Sequence, residues 1–444
     1  MSFGADVGQF TVLTTDIVTT VKTVTLARLG ALNPKWALVW MTGQGGSAGT
    51  DGAAAGNVLL SIGLCAGTTN YSVGGLSQSG VTPSNCSTAF RATAAIMEQN
   101  VNGLGGQSGS LVIHDMTTAG QISFRVTGVF AANRQINVYA QGGTAVVPAL
   151  FDFAVAAGTN AVTTPAAPTK AAIFIGTNMS GGLPLNATAR MRIFAGMALP
   201  ASAENFVIFG TSEDAQAASS TSSYSTTNEC IAASQASGSM TLRAKVTGQD
   251  ANGFTLQAVE SSGHRVACLA LSGTFQVAFD ETDTQFPVDG ESQINPGFTD
   301  DPPLSGIGFS VCTAIDTPDV FHADNEMCIG AFTAPQDTGA VICSSYNDPT
   351  GLNPTAGATA IDHDAMYVNL DPAAAIEGSF GRKVAANNPQ QFTLEETITD
   401  VASARMQIMV FGDAPLPVAP GMTKLGGTSF WRRNLRRIAE GMPS

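Results

Sequence analysis

Short apolar runs bounded by Gly, Asn, Asp or Ser recur along this chain: WALVWMT, VLLSIGL, SLVIHDM, AAIFIGT, RMRIFAG, MTLRAKVTG and RVACLAL. Their length, β-branched content and turn-forming flanks predict β-strands. Some alternate, as over Thr241 to Val246, where Leu242, Ala244 and Val246 fall on one face. Others are apolar at nearly every position. Asn252-Gly253 marks a hairpin. Helical periodicity is scarce: STAFRATAAIMEQ predicts one short helix, and a second pattern closes the chain.

The strand pattern repeats. Gly63, Gly196 and Gly330 each end an apolar run, roughly 134 residues apart, a period that suits a whole domain rather than a solenoid. Four further landmarks keep that step. Pro34, Pro168 and Pro303 open strand-rich runs. Ile122, Phe254 and Phe392 take equivalent places in QISFRVTG, GFTLQAVES and QFTLEETI. INVYAQGG, ACLALSG and MQIMVFGD close each unit, and GQFTVLTTDIV, GTAVVPALFDFAV and GTFQVAFDET open one. The expected architecture is all-β: three tandem antiparallel β-sandwich domains of about six to eight strands, over 1–142, 143–273 and 274–412, followed by a tether and short helix over 413–444. Polar stretches at 67–86, 211–229 and 344–364 read as long loops projecting from one edge of each sandwich and making outward contacts. The acidic, proline-rich stretch DETDTQFPVDGESQINPGFTDDPP reads as an extended linker.

Composition sharpens this picture. A chain of 444 residues with 44% hydrophobic residues supports several cores, and 12% charged residues is about half the usual share. A thinly spread net charge of −14 argues against nucleic acid as a partner. No apolar stretch is long enough to span a bilayer, and MSFGADVGQF has neither a basic nor an apolar leader region, so synthesis in a bacterial cytoplasm is expected. Cys65, Cys86, Cys230, Cys268, Cys312, Cys328 and Cys343 form no CxxC pair, and several lie in apolar runs, as reduced core thiols do.

The candidate chemistry is thin. TGQGGSAGTDGAAAG lacks the Lys-Ser/Thr ending of a P-loop and reads as a strand connection, and GGQSGS around Ser108 falls short of a nucleophile elbow and reads as a turn. His322 near Asp324, and His363 between Asp362 and Asp364, have no second ligand set beside them; His114 and His264 complete the histidines. Asp280, Glu281, Asp283, Asp289, Glu291, Asp300 and Asp301 do not follow the calcium-loop pattern. These patterns give no catalytic residue, metal or cofactor, and the chain is not expected to be an enzyme.

PTKAAIFIGT, SEDAQAAS, SGSMTLRAKVTGQDANGFTLQAV and RVACLALSG resemble tandem β-repeat structural proteins of tailed bacteriophages, most clearly over Pro168 to Gly273. The resemblance implies a virion component and carries over no catalytic residue. The expected function is structural: a tail, baseplate or fibre protein, or a capsid decoration, acting through other virion subunits and oligomeric within the particle. The rival is a carbohydrate-binding module for host attachment that recognises a surface glycan, although three Trp and five Tyr make a sparse aromatic platform.

The end of the chain, TSFWRRNLRRIAEGMPS, belongs to no repeat. Ser429 suits a helix cap, after which Trp431, Leu435, Ile438 and Met442 share one face, flanked by Arg432, Arg433, Arg436 and Arg437. Trp and Arg dominate interface hot spots. Residues 426–444 are therefore expected to anchor the protein to an acidic or apolar groove of a neighbouring subunit, on the proline- and glycine-rich tether before them.

Overall fold

The computed structural model describes residues 2–413 apart from 44–51, 82–83, 100–106, 165–167, 178, 180–184, 189, 214–215, 218–219, 235–238, 261–262, 282–290, 295–297, 299–302, 312–318, 320, 323–324, 334–339, 348–356, 362–364, 371–375, 384–391 and 399–404. The expected C-terminal helix and its anchor residues lie outside the described residues. Within them the chain is all-β, with one 3-10 turn at Ala27–Leu29.

The strands fall into three lobes. Lobe 1 holds β1 (Gly4–Val12), β2 (Val21–Thr25), β3 (Pro34–Thr42), β4 (Gly52–Ala55), β5 (Val58–Ala66), β6 (Thr69–Ser77), β7 (Cys86–Arg91), β8 (Ile96–Gln99), β9 (Gln107–Asp115), β10 (Gln121–Gly128) and β11 (Arg134–Gly142). Lobe 2 repeats the series with β12 (Val146–Ala154), β13 (Gly158–Thr163), β14 (Ala171–Gly176), β15 (Leu185–Thr188), β16 (Arg190–Leu199), β17 (Glu204–Glu213), β18 (Thr221–Thr226), β19 (Ile231–Ser234), β20 (Met240–Asp250), β21 (Gly253–Glu260) and β22 (Arg265–Gly273). Lobe 3 comprises β23 (Gln276–Glu281), β24 (Glu291–Ile294), β25 (Pro303–Val311), β26 (Phe321–His322), β27 (Asn325–Thr333), β28 (Ala340–Asn347), β29 (Gly357–Ile361), β30 (Ala365–Leu370), β31 (Ile376–Lys383), β32 (Phe392–Ile398) and β33 (Arg405–Gly412).

Each lobe pairs a seven-stranded sheet with a four-stranded one. In lobe 1 the orders are β1-β11-β3-β5-β6-β7-β15 and β2-β10-β9-β8. The last strand of the large sheet is not its own: β15 comes from lobe 2. The other lobes follow suit, with β26 of lobe 3 closing the large sheet of lobe 2 against β18, and β4 of lobe 1 closing that of lobe 3 against β29. Each loan leaves the same place in its lobe, between the third strand and the fifth, and goes to the lobe before it in cyclic order. The exchange therefore closes a ring in which the first lobe completes the last.

Large and small sheets face each other across a sandwich core. In lobe 1 this core includes Phe10, Val24, Val39, Met41, Leu111, Phe124, Ile136 and Val138; in lobe 2 it includes Phe174, Phe194, Phe209, Leu242, Val246, Phe254 and Leu256. The opposite faces of the three large sheets meet in one central core that joins Trp36, Leu38, Trp40 and Ile62 to Ile173, Ile193 and Leu269 and to Ile307, Ile329 and Ile408. Inner strands of the large sheets, such as β3, β5 and β16, are thus buried on both faces, which is why runs such as WALVWM are continuously apolar. Strands of the small sheets cover the sandwich with one face only and alternate, as β20 does with Leu242, Ala244 and Val246 inward.

Several expectations change here. The lobes share a core and exchange strands, and together they make one compact unit over Met1–Ala414. STAFRATAAIMEQ forms β7 and β8, not a helix, because backbone pairing to β6, β15 and β9 outweighs a weak local propensity. The polar stretches read as loops hold β6, the end of β17 with all of β18, and the second half of β28 with all of β29. GGQSGS runs into β9 rather than a turn, and Ser108 donates a 2.7 Å hydrogen bond to Glu98 Oε2. The glycine-rich TGQGGSAGTDGAAAG carries the loaned strand β4.

Gly63 lies opposite Val39, Gly196 opposite Phe174 and Gly330 opposite Gly308. A Cβ on Gly63 would overlap the carbonyl of Ala95, and one on Gly196 that of Cys230; both carbonyls immediately precede the short strand that caps the sandwich, β8 or β19. Backbone approaching this closely leaves room for glycine alone. Gly196→Ala is expected to destabilise the fold by about 3 kcal/mol through overpacking, whereas Gly248→Ala, with open space at its Cβ, should lie within about 0.5 kcal/mol of wild type. Urea midpoints of the two variants check this.

Candidate interaction surface

Buried ionisable groups are the first place to look for chemistry, and in this chain most are engaged in pairs. Glu98 accepts from Arg134 at 2.6 Å, from Ser108 and from the Ala131 amide. Glu213 takes Arg190 at 2.8 Å and also Arg192, whose own pKa is lowered by burial. Asp152 is bridged to Arg265 and accepts a 2.8 Å hydrogen bond from Tyr71 of lobe 1, whose phenol is pushed up to about 12 by burial and by that carboxylate. Asp6 accepts from the backbone of Arg28 and Val7, and burial raises its pKa.

Polar contacts concentrate where a strand is exchanged. Between lobes 1 and 2, Ser84 and Gln216 exchange backbone and side-chain hydrogen bonds at 2.9 Å, and Thr88 receives the Arg192 amide at 2.7 Å. Between lobes 2 and 3, Asp319 accepts from Asn228 at 2.8 Å and Tyr224 at 3.2 Å, while its amide donates to the Ser225 carbonyl. Phe321 on β26 stacks on Tyr224 with ring centres 4.9 Å apart. Between lobes 1 and 3, Tyr139 and Ser305 share a 2.7 Å hydrogen bond deep in the central core.

The residues singled out for metal chemistry lie largely outside the described residues. His322 is buried on β26 with its pKa lowered by burial, His114 is exposed on β9, and Asp324, Asp362, His363 and Asp364 lie outside the described residues. Asp280 and Glu281 end β23, the side chain of Glu291 on β24 is outside the described residues, and Asp283, Asp289, Asp300 and Asp301 lie outside them altogether. Among the described residues no group of three or more His, Cys, Asp or Glu is placed to hold a metal. Cys65, Cys86, Cys230, Cys268 and Cys328 are buried and form no disulfide, with burial raising the pKa of Cys65, Cys230 and Cys268. Cys312 and the side chain of Cys343 lie outside the described residues.

Two apolar features stand out on the surface, and sequence reading found neither. Of the seven exposed large hydrophobic side chains among the described residues, five gather at one end of lobe 1: Leu13, Ile17, Val18, Val21 and Val129. Ile17 and Val18 are 68% and 49% exposed at the tip of a turn closed by Thr20 N–H donating to Ile17 O at 2.9 Å. In lobe 2 an open cleft of about 340 Å³ lies where β12 and β13 part, lined by Phe151, Phe153, Val155, Val162 and Leu256. Both features sit at the link between the first and second strands of their lobe, at 13–20 and 155–157. The short link in lobe 2 leaves the sandwich edge uncovered.

Comparison with protein-family models, curated proteins and solved structures returns no match. Among the described residues no helix is long and apolar enough to cross a membrane, which leaves strands unaddressed.

His264 is 7% exposed, neither ring nitrogen has a partner among the described residues, and burial and then the charge of Arg192 push its pKa down to about 4. Unfolded, the imidazole returns to about 6.5 and binds the proton that the folded state rejects. Its contribution is fully present above pH 6.5 and is lost as pH falls toward 4, up to about 3 kcal/mol. His264→Gln should flatten this part of the profile, read as the difference in urea midpoints between wild type and variant at pH 7.5 and pH 4.5.

Proposed function

We propose that this chain is a structural component of a bacteriophage virion, in the tail, baseplate or fibre or on the capsid surface, and that it acts through protein–protein contacts. The observation that carries the reading is the cyclic strand exchange, which ties three sandwich lobes into one closed body from a single polypeptide. Such a body withstands assembly and handling because no lobe can leave without breaking backbone pairing in a neighbour. Its buried charges are largely committed to ion pairs and lobe seams, and its exposed apolar side chains gather at one end of lobe 1. These are attributes of a building block. The glycan-binding reading draws nothing from Trp36 and Trp40, which are sealed in the central core.

In this proposal the basic segment 426–444 attaches the body to a neighbouring subunit. Deleting 426–444 should leave the far-ultraviolet spectrum and thermal unfolding of the body unchanged while removing the protein from purified particles. Quantitative mass spectrometry of particles made with the truncated chain checks this, and normal copy number would refute it.

A further inference from the structure

The apolar turn of lobe 1 and the apolar cleft of lobe 2 are complementary, and we propose that they form a head-to-tail contact between copies of this chain, with Ile17 and Val18 of one copy seated against Phe151 and Phe153 of the next. This goes beyond the virion reading and does not depend on it.

The turn is built to keep its shape. Asp16 receives the Leu13 amide at 2.7 Å and Lys22 at 2.6 Å, its own amide donates to Leu13 O, and Thr14 is tied to Asn133. Thr19 donates to Val126 O, and the Val126 amide returns to Thr20 O. Thr19 holds φ at 90°, a conformation unfavourable for a β-branched residue. A rigid, locally strained turn with aliphatic side chains at its tip, in water, has the character of a contact point rather than a loop shaped by solvent.

The cleft offers the matching surface. Phe151 and Phe153 are half-buried along one side, with buried Val155, Val162 and Leu256 beneath. Its volume falls within the range of pockets that seat small apolar groups, about 300–1,000 Å³, and suits two branched aliphatic side chains. Knob and cleft belong to separate lobes that the ring holds in fixed places, so the partner that can bring the two together is a second copy.

Electrostatics permits this partner. A net charge of −14 opposes self-association at long range. At the knob Asp16 is neutralised by Lys22, and the lining of the cleft carries no charged side chain, so neither surface brings an unbalanced charge to where they would touch. Because the contact joins different patches, it is heterologous and propagates into a ring or a filament rather than stopping at a symmetric dimer.

Sedimentation velocity of the full chain over a concentration series tests this. Mass should rise with concentration. Ile17→Lys on the exposed turn, and Ala156→Arg at the exposed mouth of the cleft, should each raise the apparent Kd by about tenfold or more with unchanged thermal unfolding. Mixed in equal amounts, the two variants retain one intact knob and one intact cleft between them, so they should form a one-to-one dimer and nothing larger. Wild type that stays monomeric at every concentration, variants that assemble like wild type, or a mixture that stays monomeric would each overturn the proposal. Loss of assembly on deleting 415–444 would also overturn it, in favour of the tail as the occupant of the cleft.

Discussion

Backbone hydrogen bonding at the far edge of each large sheet is the constraint on which the rest of the body depends. An open strand edge exposes unpaired amides and carbonyls that invite uncontrolled pairing with other chains. Here β7, β18 and β29 are each covered by a strand from the following lobe in cyclic order. The pairings are short: β26 contributes Phe321 and His322 opposite Tyr224 and Ser223, and β15 spans Leu185 to Thr188 opposite Arg91 to Thr88. Short strands suffice because the loan is reinforced from behind. The first strand of each lobe packs on the large sheet of the same lobe that receives its loan, β1 against β25 and β27, β12 against β3 and β5, and β23 against β16. Two contacts in the same direction at every seam make the ring resist opening at any one of them.

The central core follows from that closure. Once three large sheets are held edge to edge, their inner faces must be apolar or the ring would enclose water without partners. The residues there are large and branched, and aromatic packing crosses the seam between lobes 1 and 3: Trp36 lies 6.3 Å from Phe411, which lies 6.1 Å from Phe275, itself 6.2 Å from Phe3. Of the polar atoms admitted there, Trp36 Nε1 donates to Gln141 and Tyr139 shares a hydrogen bond with Ser305, whereas Trp40 Nε1 has no partner among the described residues. Unpaired, such an atom carries a desolvation penalty of about 1–3 kcal/mol.

What the residues made legible is what side chains report. Continuous apolar runs and alternating runs separated large-sheet from small-sheet strands, because burial on two faces or one is written directly in the pattern, as WALVWM and Leu242-Arg243-Ala244 illustrate. The close approach at Gly63 and Gly196 left a glycine at each position. Strand exchange was not legible, since its contribution is backbone pairing over short segments: β26 is two residues long, and Gly52-Ala53-Ala54-Ala55 has no hydrophobic alternation to announce a strand in a glycine-rich stretch that looks like a connection. The segments Thr221–Thr226 and Thr69–Ser77 failed as strand signals for a related reason. Apart from exposed Thr69, their Ser and Thr side chains are largely buried, and Gly75 lies against Met191 and Ile193 of lobe 2, so polarity there does not mark exposure to water. The knob at Ile17 and Val18 was hidden too, because two aliphatic residues after a strand read as its continuation until their exposure is known.

A chain with so few charges still commits several of them to buried or half-buried pairs, and their positions suggest why. Replacing a buried ion pair by apolar side chains is often neutral or stabilising, so stability alone does not account for Arg192 and Glu213, or for Asp152 with Arg265 and Tyr71. Both sets lie where lobe 2 meets lobe 1. Three lobes of common architecture have similar apolar faces, and apolar contact alone would let a loaned strand slip in register or enter the wrong sheet. Both ion pairs close within lobe 2, and what crosses to lobe 1 is the hydrogen bonding at their edges, Tyr71 to Asp152 and the Arg192 amide to Thr88; a slipped seating would leave these buried polar groups without partners, at about 1–3 kcal/mol each. The seams differ in the residues they use: Ser84 with Gln216 at one, Asp319 with Asn228 and Tyr224 at the next, and Tyr139 with Ser305 at the third. Divergence of the three repeats, which gives each seam its own polar partners, is therefore part of what lets a single chain close its ring in one order.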